Sequence, residues 1–318
     1  MSDAVVAGAG VDLAVREFGG SGPSALLLHG AGLTLADMAP LASHLTADHR
    51  VVGMDLRNHG RSGDGPWLWD QVLADIRAVL TDLTLVDPIV IGHSLGGMLA
   101  AMYAEQYGDV AAAVDLDGHS IGRSEPPDVD PTAAAQLRMK LRVIGDQSIR
   151  ELSLRRTAAE IATGREAWLH GAKALGLDSA LARDAFERRV VEDGEGTFRF
   201  RPTAESLTQM RNAIEELDLL GLYGQAEAPQ LVCVAGREQP DPNLPEDVRA
   251  LAVEYRRGLI LQLQEIAESR PTVQLVEIDA THGLVYECPE LIADQIRDHR
   301  DELAAPIVSV GASRVGQE

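Results

Sequence analysis

Short apolar runs alternate with amphipathic stretches through the first 119 residues. Residues 11–18 alternate apolar and polar side chains, the period of a strand with one face on the core. After a Gly/Ser/Pro turn at 19–23, Ala25, Leu26, Leu27 and Leu28 form a continuous apolar run, as in a strand covered on both faces. The pattern predicts a helix over 38–45, a strand over 50–55, a helix over 68–83 and a buried strand at Ile89, Val90 and Ile91. That strand breaks into Gly92-His93-Ser94-Leu95-Gly96-Gly97 and continues as a helix rich in Ala, Met and Leu. The helix runs to Tyr107 and stops at Gly108. Residues 110–117 read as the next strand. Spacings this long exclude hairpins and predict βαβ crossovers in a mainly parallel sheet.

The pattern changes at about residue 120. From there to 225 strand signal is nearly absent, and helices are predicted around 132–144, 149–162, 165–175 and 179–191. Only residues 197–201 alternate. Such a stretch between two sheet strands is expected to fold over the sheet as an insertion. The sheet resumes over 230–235, followed by a helix over 245–269, a last strand over 273–278 and a closing helix over 289–303. The expected organisation is a core of 1–119 and 226–305, a helical cap of 120–225 and a flexible tail of 306–318.

A chain of 318 residues can bury a core of this size. Its formal net charge of −21 argues against a nucleic-acid partner, which needs a basic stripe, and against an anionic membrane surface. Two cysteines, Cys233 in an apolar run and Cys288 beside Pro289, make no disulfide framework and show no metal-ligand spacing, so inert thiols in a reducing compartment are expected. No signal peptide is visible and no apolar run approaches the ~20 residues of a membrane span, so the sequence reads as cytoplasmic.

Chemistry concentrates where the strands end. Gly-x-Ser-x-Gly between a buried strand and a helix is the setting of a nucleophile elbow, with Ser94 on a strained turn between residues small enough to let strand and helix pass. Together with Leu28-His29-Gly30-Ala31-Gly32, the stretch Asp55-Leu56-Arg57-Asn58-His59-Gly60-Arg61-Ser62 and His282-Gly283 after the last strand, this order resembles the α/β-hydrolase fold. The resemblance covers nearly all of the chain except the insertion and the tail. It implies an α/β fold with a mainly parallel eight-stranded sheet flanked by helices and an inserted helical lid.

What it implies for the site follows residue by residue. Ser94 would be the nucleophile and His282, of nine histidines, its base. The backbone N–H groups of Leu95 and Ala31, with Gly32 next, would receive an oxyanion. His29 and His59 would brace their loops, His93 would face away from the chemistry, and His299 would lie on the surface. Asp55, Arg57 and Ser62 would be structural. The acid is less plain. Three residues past Gly236, where most relatives carry it, stands Gln239, and an amide cannot stabilise an imidazolium. Asp117, ending the strand after the elbow helix, is favoured for its rigid position. Glu238 and Asp241 are the alternatives, and Asp115 lies deeper on the same face as Asp117.

A helical lid would enclose an apolar pocket, with Trp168, Met139, Met210, Leu175 and Phe186 as candidate lining and Trp67 and Trp69 near its mouth. The function so implied is that of a serine hydrolase acting without metal or cofactor on an ester, lactone or thioester of a mainly apolar small molecule. The same triad could serve C–C bond hydrolysis, acyl transfer or perhydrolysis, and the fold could serve as a ligand receptor. The sequence leaves oligomeric state open.

Overall fold

The computed structural model describes residues 3–119, 126, 129–194, 196–237 and 245–304. The chain begins with strands β1 (Ala4–Ala7), β2 (Asp12–Gly19), β3 (Ser24–Leu28), β4 (Arg50–Met54), β5 (Ile89–His93) and β6 (Ala112–Leu116). Among them stand α1 (Ala39–Leu45), preceded by a 3₁₀ turn at Leu35–Met38, then α2 (Trp69–Asp82) and α3 (Leu95–Tyr107). Between β6 and the next long strand come α4 (Pro131–Leu152), β7 (Arg156–Thr157), α5 (Ala158–Ala174), α6 (Ser179–Arg188), β8 (Val190–Glu192), β9 (Thr197–Phe200), α7 (Ala204–Glu215) and α8 (Leu219–Gln225). The chain then returns through β10 (Gln230–Ala235), α9 (Glu246–Ser269), β11 (Val273–Ile278), α10 (Leu284–Glu287) and α11 (Pro289–Ala304).

The eight-stranded sheet has the order β1-β2-β4-β3-β5-β6-β10-β11. β1, β2 and β4 pair antiparallel, and every pair from β4 to β11 is parallel. The unbroken apolar runs mark strands buried on both faces. Leu26 and Leu28 of β3 pack against Val72, Ile76 and Val79 of α2 and Leu99 of α3 on one face. Ala25 and Leu27, one residue out of phase, pack against Leu41 and Leu45 of α1 and Ile292 and Ile296 of α11 on the other. This is the period-two alternation of a strand put to use in two cores.

The segment between β6 and β10 holds more strand than the one alternating stretch at 197–201, here β9, marks. α4 runs unbroken past Gly145, because the residues around that glycine pack on α7 and α9 instead of ending the helix. The helix expected to reach residue 191 stops at Arg188, where Val190 and Val191 enter a three-stranded antiparallel sheet of order β7-β9-β8. β-branched residues favour that exchange.

This segment is tied to the core by ion pairs. Arg188, fully buried, bridges Asp55 and Asp3. Arg16 of β2 bonds Asp184 of α6 at 2.7 Å, Arg189 reaches Asp37, and Arg201 donates to the Gly60 carbonyl at 2.6 Å. Their partners lie on the N-terminal segment, β2 and the loops after β3 and β4, which seats the α6 end of the segment over that edge of the sheet.

Candidate active site

Parallel strands end on one edge of the sheet, and the loops after β3, β5, β6 and β11 therefore converge there. Ser94 follows β5 with φ 54° and ψ −118°, a conformation rare for a residue with a side chain. Glycine is required on both sides. A Cβ on Gly92 would lie 1.9 Å from the Gly96 carbonyl, and one on Gly96 would lie 2.3 Å from the Leu28 carbonyl oxygen. The Ser94 N–H donates to the Leu116 carbonyl at 2.9 Å, fixing the turn to β6.

His282 lies in the loop after β11. Its Nε2 is 3.1 Å from the Ser94 hydroxyl oxygen, and its Nδ1 is 2.7 Å from Asp117 Oδ2. Asp117 closes β6 at φ 54°, and its Oδ1 accepts the Ala235 N–H at 2.8 Å. Burial alone would raise this carboxyl. The hydrogen bonds from His282 and Ala235 outweigh burial and hold it at about 2. An ionised Asp117 only accepts, so Nδ1 carries the imidazole proton and Nε2 faces the serine as an acceptor. Ser94, His282 and Asp117, separated by as many as 188 positions in sequence, thus form one hydrogen-bonded chain. Glu238 and Asp241 lie outside the described residues.

The loop after β3 is held by two histidines. His29 Nδ1 is 2.8 Å from the Gly30 carbonyl, and its Nε2 accepts the Leu56 N–H at 3.0 Å. His59 Nδ1 is 2.9 Å from the Arg57 carbonyl, and its Nε2 accepts the Gly32 N–H at 3.1 Å. Burial pushes His29 down to about 4; burial and then neighbouring His29 push His59 to about 3, so both are neutral. The Gly32 N–H is therefore already taken. The Ala31 N–H has no acceptor among the described residues. Leu95, first residue of α3, has an N–H without an intrahelical acceptor.

Several side chains sit elsewhere than expected. His93 does not face away: its Nε2 is 2.8 Å from the His282 carbonyl, and the two rings are 4.9 Å apart. Burial, then the neighbouring His282, lowers it to about 4. His299 is buried, with Nδ1 2.6 Å from Gln274 Oε1. Trp67 is buried too, its ring 6.1 Å from His59 and 6.0 Å from Trp69. Asp55, Arg57 and Ser62 are structural: Asp55 accepts the Leu35 N–H, Arg57 pairs with Asp75 at 2.7 Å, and Ser62 accepts the Ala14 N–H.

An apolar cleft of about 320 Å³ opens between α4 and α7, with Ala31 in its wall. Leu141, Ile149 and Leu152 line one side, and Leu207, Met210 and Ile214 the other. Of the five candidate pocket residues, Met210 alone is among those lining this cleft. Met139 and Leu175 are exposed, Phe186 packs edge-on to Phe200, and Trp168 donates to the Ala182 carbonyl beneath Arg189. Pattern reasoning also passed over Arg256, whose guanidinium lies 3.9 Å from Asp117 Oδ1 and bonds the Ala235 carbonyl. One arginine on a long amphipathic helix carries no signal that would single it out.

The sequence profile of the alpha/beta hydrolase family matches residues 25–295, and the chain belongs to that family. It is 36% identical over 110 residues to lipase LipV of Mycobacterium tuberculosis, a match covering 34% of this chain and 42% of that protein. It is 33% identical over 91 residues to the sn-1-specific diacylglycerol lipase ABHD11 of Mus musculus, covering 28% and 30% respectively. The chain thus spans under half the length of these curated relatives. Among solved structures it is similar to E-2-(acetamidomethylene)succinate hydrolase, with a TM-score of 0.67 and 22% identity over 94% of this chain and 99% of that one. The thioesterase domain of the curacin biosynthetic pathway gives a TM-score of 0.61 at 19% identity, over 93% and 99%. At these identities the likeness is one of fold.

Proposed function

We propose that this hydrolase cleaves an ester, lactone or thioester of a mainly apolar small molecule through an acyl-serine, with Ser94 as nucleophile, His282 as base and Asp117 as acid. The observation that carries the reading is the hydrogen-bonded chain from Asp117 through His282 to Ser94, at 2.7 and 3.1 Å. A free hydroxyl is a poor nucleophile. As Ser94 Oγ attacks the carbonyl carbon, its proton passes to His282 Nε2, and Asp117 stabilises the resulting imidazolium. The carbonyl oxygen gains a negative charge, received by the N–H groups of Ala31 and Leu95. Collapse expels the alcohol or thiol, which takes the proton from Nε2. Water then repeats the sequence on the acyl-serine, releasing the acid.

The two curated relatives described above are lipases by name, which favours ester substrates. The cleft beside Ala31 favours an apolar arm, since the surface it exposes is mostly apolar, although Arg138, Arg142, Ser148, Arg211 and Glu215 stand among its lining residues. In this reading residues 120–225 cap the core formed by 1–119 and 226–305. Among the described residues no helix is long and apolar enough to cross a membrane, and no cluster of His, Cys, Asp and Glu could hold a metal ion.

The test is intact-protein mass after treatment with a fluorophosphonate. One adduct is expected on the native protein and none on Ser94→Ala, with hydrolysis of p-nitrophenyl butyrate lost in parallel. An unmodified native protein, or an adduct that survives Ser94→Ala, refutes the assignment.

A further inference from the structure

Two residues before Asp117, a second carboxyl is buried where the proposed reaction has no use for it. Asp115 is 1% exposed. Its Oδ1 accepts the Gly118 N–H at 2.6 Å, and its Oδ2 accepts the hydroxyl proton of Tyr223, which is itself fully buried. The carboxyl fills a gap between three elements. A Cβ on Gly97 of α3 would lie 2.0 Å from Oδ1, and one on Gly118 would lie 2.3 Å from it. Both neighbours are glycine because the carboxyl occupies that space. Tyr223 arrives from α8, the last helix before the chain re-enters the sheet at β10.

The turn that Asp115 grips is the one that presents Asp117. Asp117 stands at φ 54°, and a residue with a side chain holds that conformation only when its surroundings over-determine it. Its own N–H is fixed to the Cys233 carbonyl at 2.8 Å and its Oδ1 to the Ala235 N–H. Those bonds hold Asp117 from the β10 side. The bond from Gly118 to Asp115 holds the residue that follows it. From this geometry, and resting on the triad reading above, we infer that Asp115 and Tyr223 are positioning residues: they lock the strained turn that aims Asp117 at His282, and they tie that aim to the seating of α8.

Asp115 acts here through the two hydrogen bonds it accepts. Burial, opposed by His119 and Tyr223 and reinforced by the Asp117 carboxylate, raises its pKa. Asparagine at 115 would keep an acceptor for the Gly118 N–H and could donate to the Tyr223 oxygen, so it is the conservative replacement. Alanine removes the acceptor and leaves the Tyr223 hydroxyl unpaired. Phenylalanine at 223 leaves the turn bonded but releases it from α8.

The experiment measures kcat and KM for p-nitrophenyl butyrate, and the rate of fluorophosphonate labelling, on Asp115→Asn, Asp115→Ala, Tyr223→Phe and Asp117→Asn. Thermal melts confirm that each variant is folded. Tyr223→Phe should lower kcat by about tenfold with little change in KM, the loss of one buried hydrogen bond felt at the transition state. Asp115→Ala should lose more, and Asp115→Asn should recover to within about threefold of the native kcat. If Asp115→Ala fails to fold, Tyr223→Phe and Asp115→Asn alone decide. A native kcat in Tyr223→Phe, or an Asp115→Asn as impaired as a folded Asp115→Ala, overturns the inference. Failure of the triad reading looks different: Asp117→Asn would then keep its activity too.

Discussion

Replacing Asp117 by asparagine changes one atom in a side chain that makes two hydrogen bonds, and the structure dictates what each would become. Oδ1 accepts from the Ala235 N–H at 2.8 Å and Oδ2 from His282 Nδ1 at 2.7 Å. An amide has one acceptor and one donor group. If its oxygen keeps the bond to Ala235, its NH₂ faces His282, and the ring can accept only by moving its proton to Nε2. Nε2 then points an N–H at Ser94 and can no longer take the serine proton. If the amide turns the other way, two donors meet at Ala235, which costs about 1–3 kcal/mol in a buried site. Neither arrangement stabilises an imidazolium. The expected loss in kcat is on the order of 10³–10⁴, the range found when a triad carboxylate becomes an amide, or about 4–5.5 kcal/mol of transition-state stabilisation. KM should change little, because Asp117 does not face the cleft. Initial rates on p-nitrophenyl butyrate give kcat and KM, and a thermal melt excludes unfolding. Glu238→Gln and Asp241→Asn are the controls and should keep native rates. A folded Asp117→Asn with more than about a tenth of native kcat refutes the reasoning, and so does an equal loss in either control.

The same carboxylate makes stability depend on pH. Its value of about 2 in the folded chain, against the usual 3.8, means the folded state binds this proton more weakly than the unfolded state. The benefit, on the order of 2 kcal/mol, is therefore complete above about pH 5 and drains away as pH falls toward 2. Urea midpoints should show the gap between native protein and Asp117→Asn shrinking from about pH 5 to pH 3, and a constant gap would contradict it. Arg188→Ala leaves the buried Asp55 without its guanidinium partner and should cost about 3–5 kcal/mol in urea unfolding; a loss below about 1 kcal/mol would show that the pair is dispensable. Gly145→Phe should fill the cleft between α4 and α7. At about 0.8 kcal/mol per buried methylene, the kcat/KM ratio of octanoyl to acetyl esters should fall at least about tenfold, and an unchanged ratio would place the acyl arm elsewhere.

Strand and helix order was legible wherever one physical signal dominated. Ala25 to Leu28 and Ile89 to Ile91 carry unbroken apolar runs because helices cover both faces of those strands. The elbow was legible because a buried strand and a helix can meet at Ser94 only across glycines. The small sheet was not. β7 has two residues and β8 three, too few for any period to register. β1 has four residues and is defined by its pairing with β2. The ion pairs were hidden for another reason. Arg188 and Asp55 are 133 positions apart, and nothing local distinguishes that arginine from the exposed ones around it. His93 shows the limit inside a motif: its place in Gly-x-Ser-x-Gly is variable by pattern, and only the fold reveals the His282 carbonyl opposite it.

Buried polar groups gather around the site because the sheet ends there. A strand that turns sharply leaves N–H groups without ladder partners, and each is costly if buried unpaired. Here side chains satisfy them one by one. Asp37 takes the Thr34 N–H, Asp55 that of Leu35, His29 that of Leu56, His59 that of Gly32 and Asp115 that of Gly118. Asp37 also receives the hydroxyl of Tyr286, four residues past His282, and the guanidinium of Arg189, so the loop after β3, the histidine loop and the intervening segment share one carboxylate. In that setting the Ala31 N–H stands out. The Gly32, Leu33 and Thr34 donors that follow it are committed, it has no acceptor among the described residues, and it borders the apolar cleft. A donor held in place without a partner suits a charge that exists only during reaction, since no reorganisation is then needed when that charge forms.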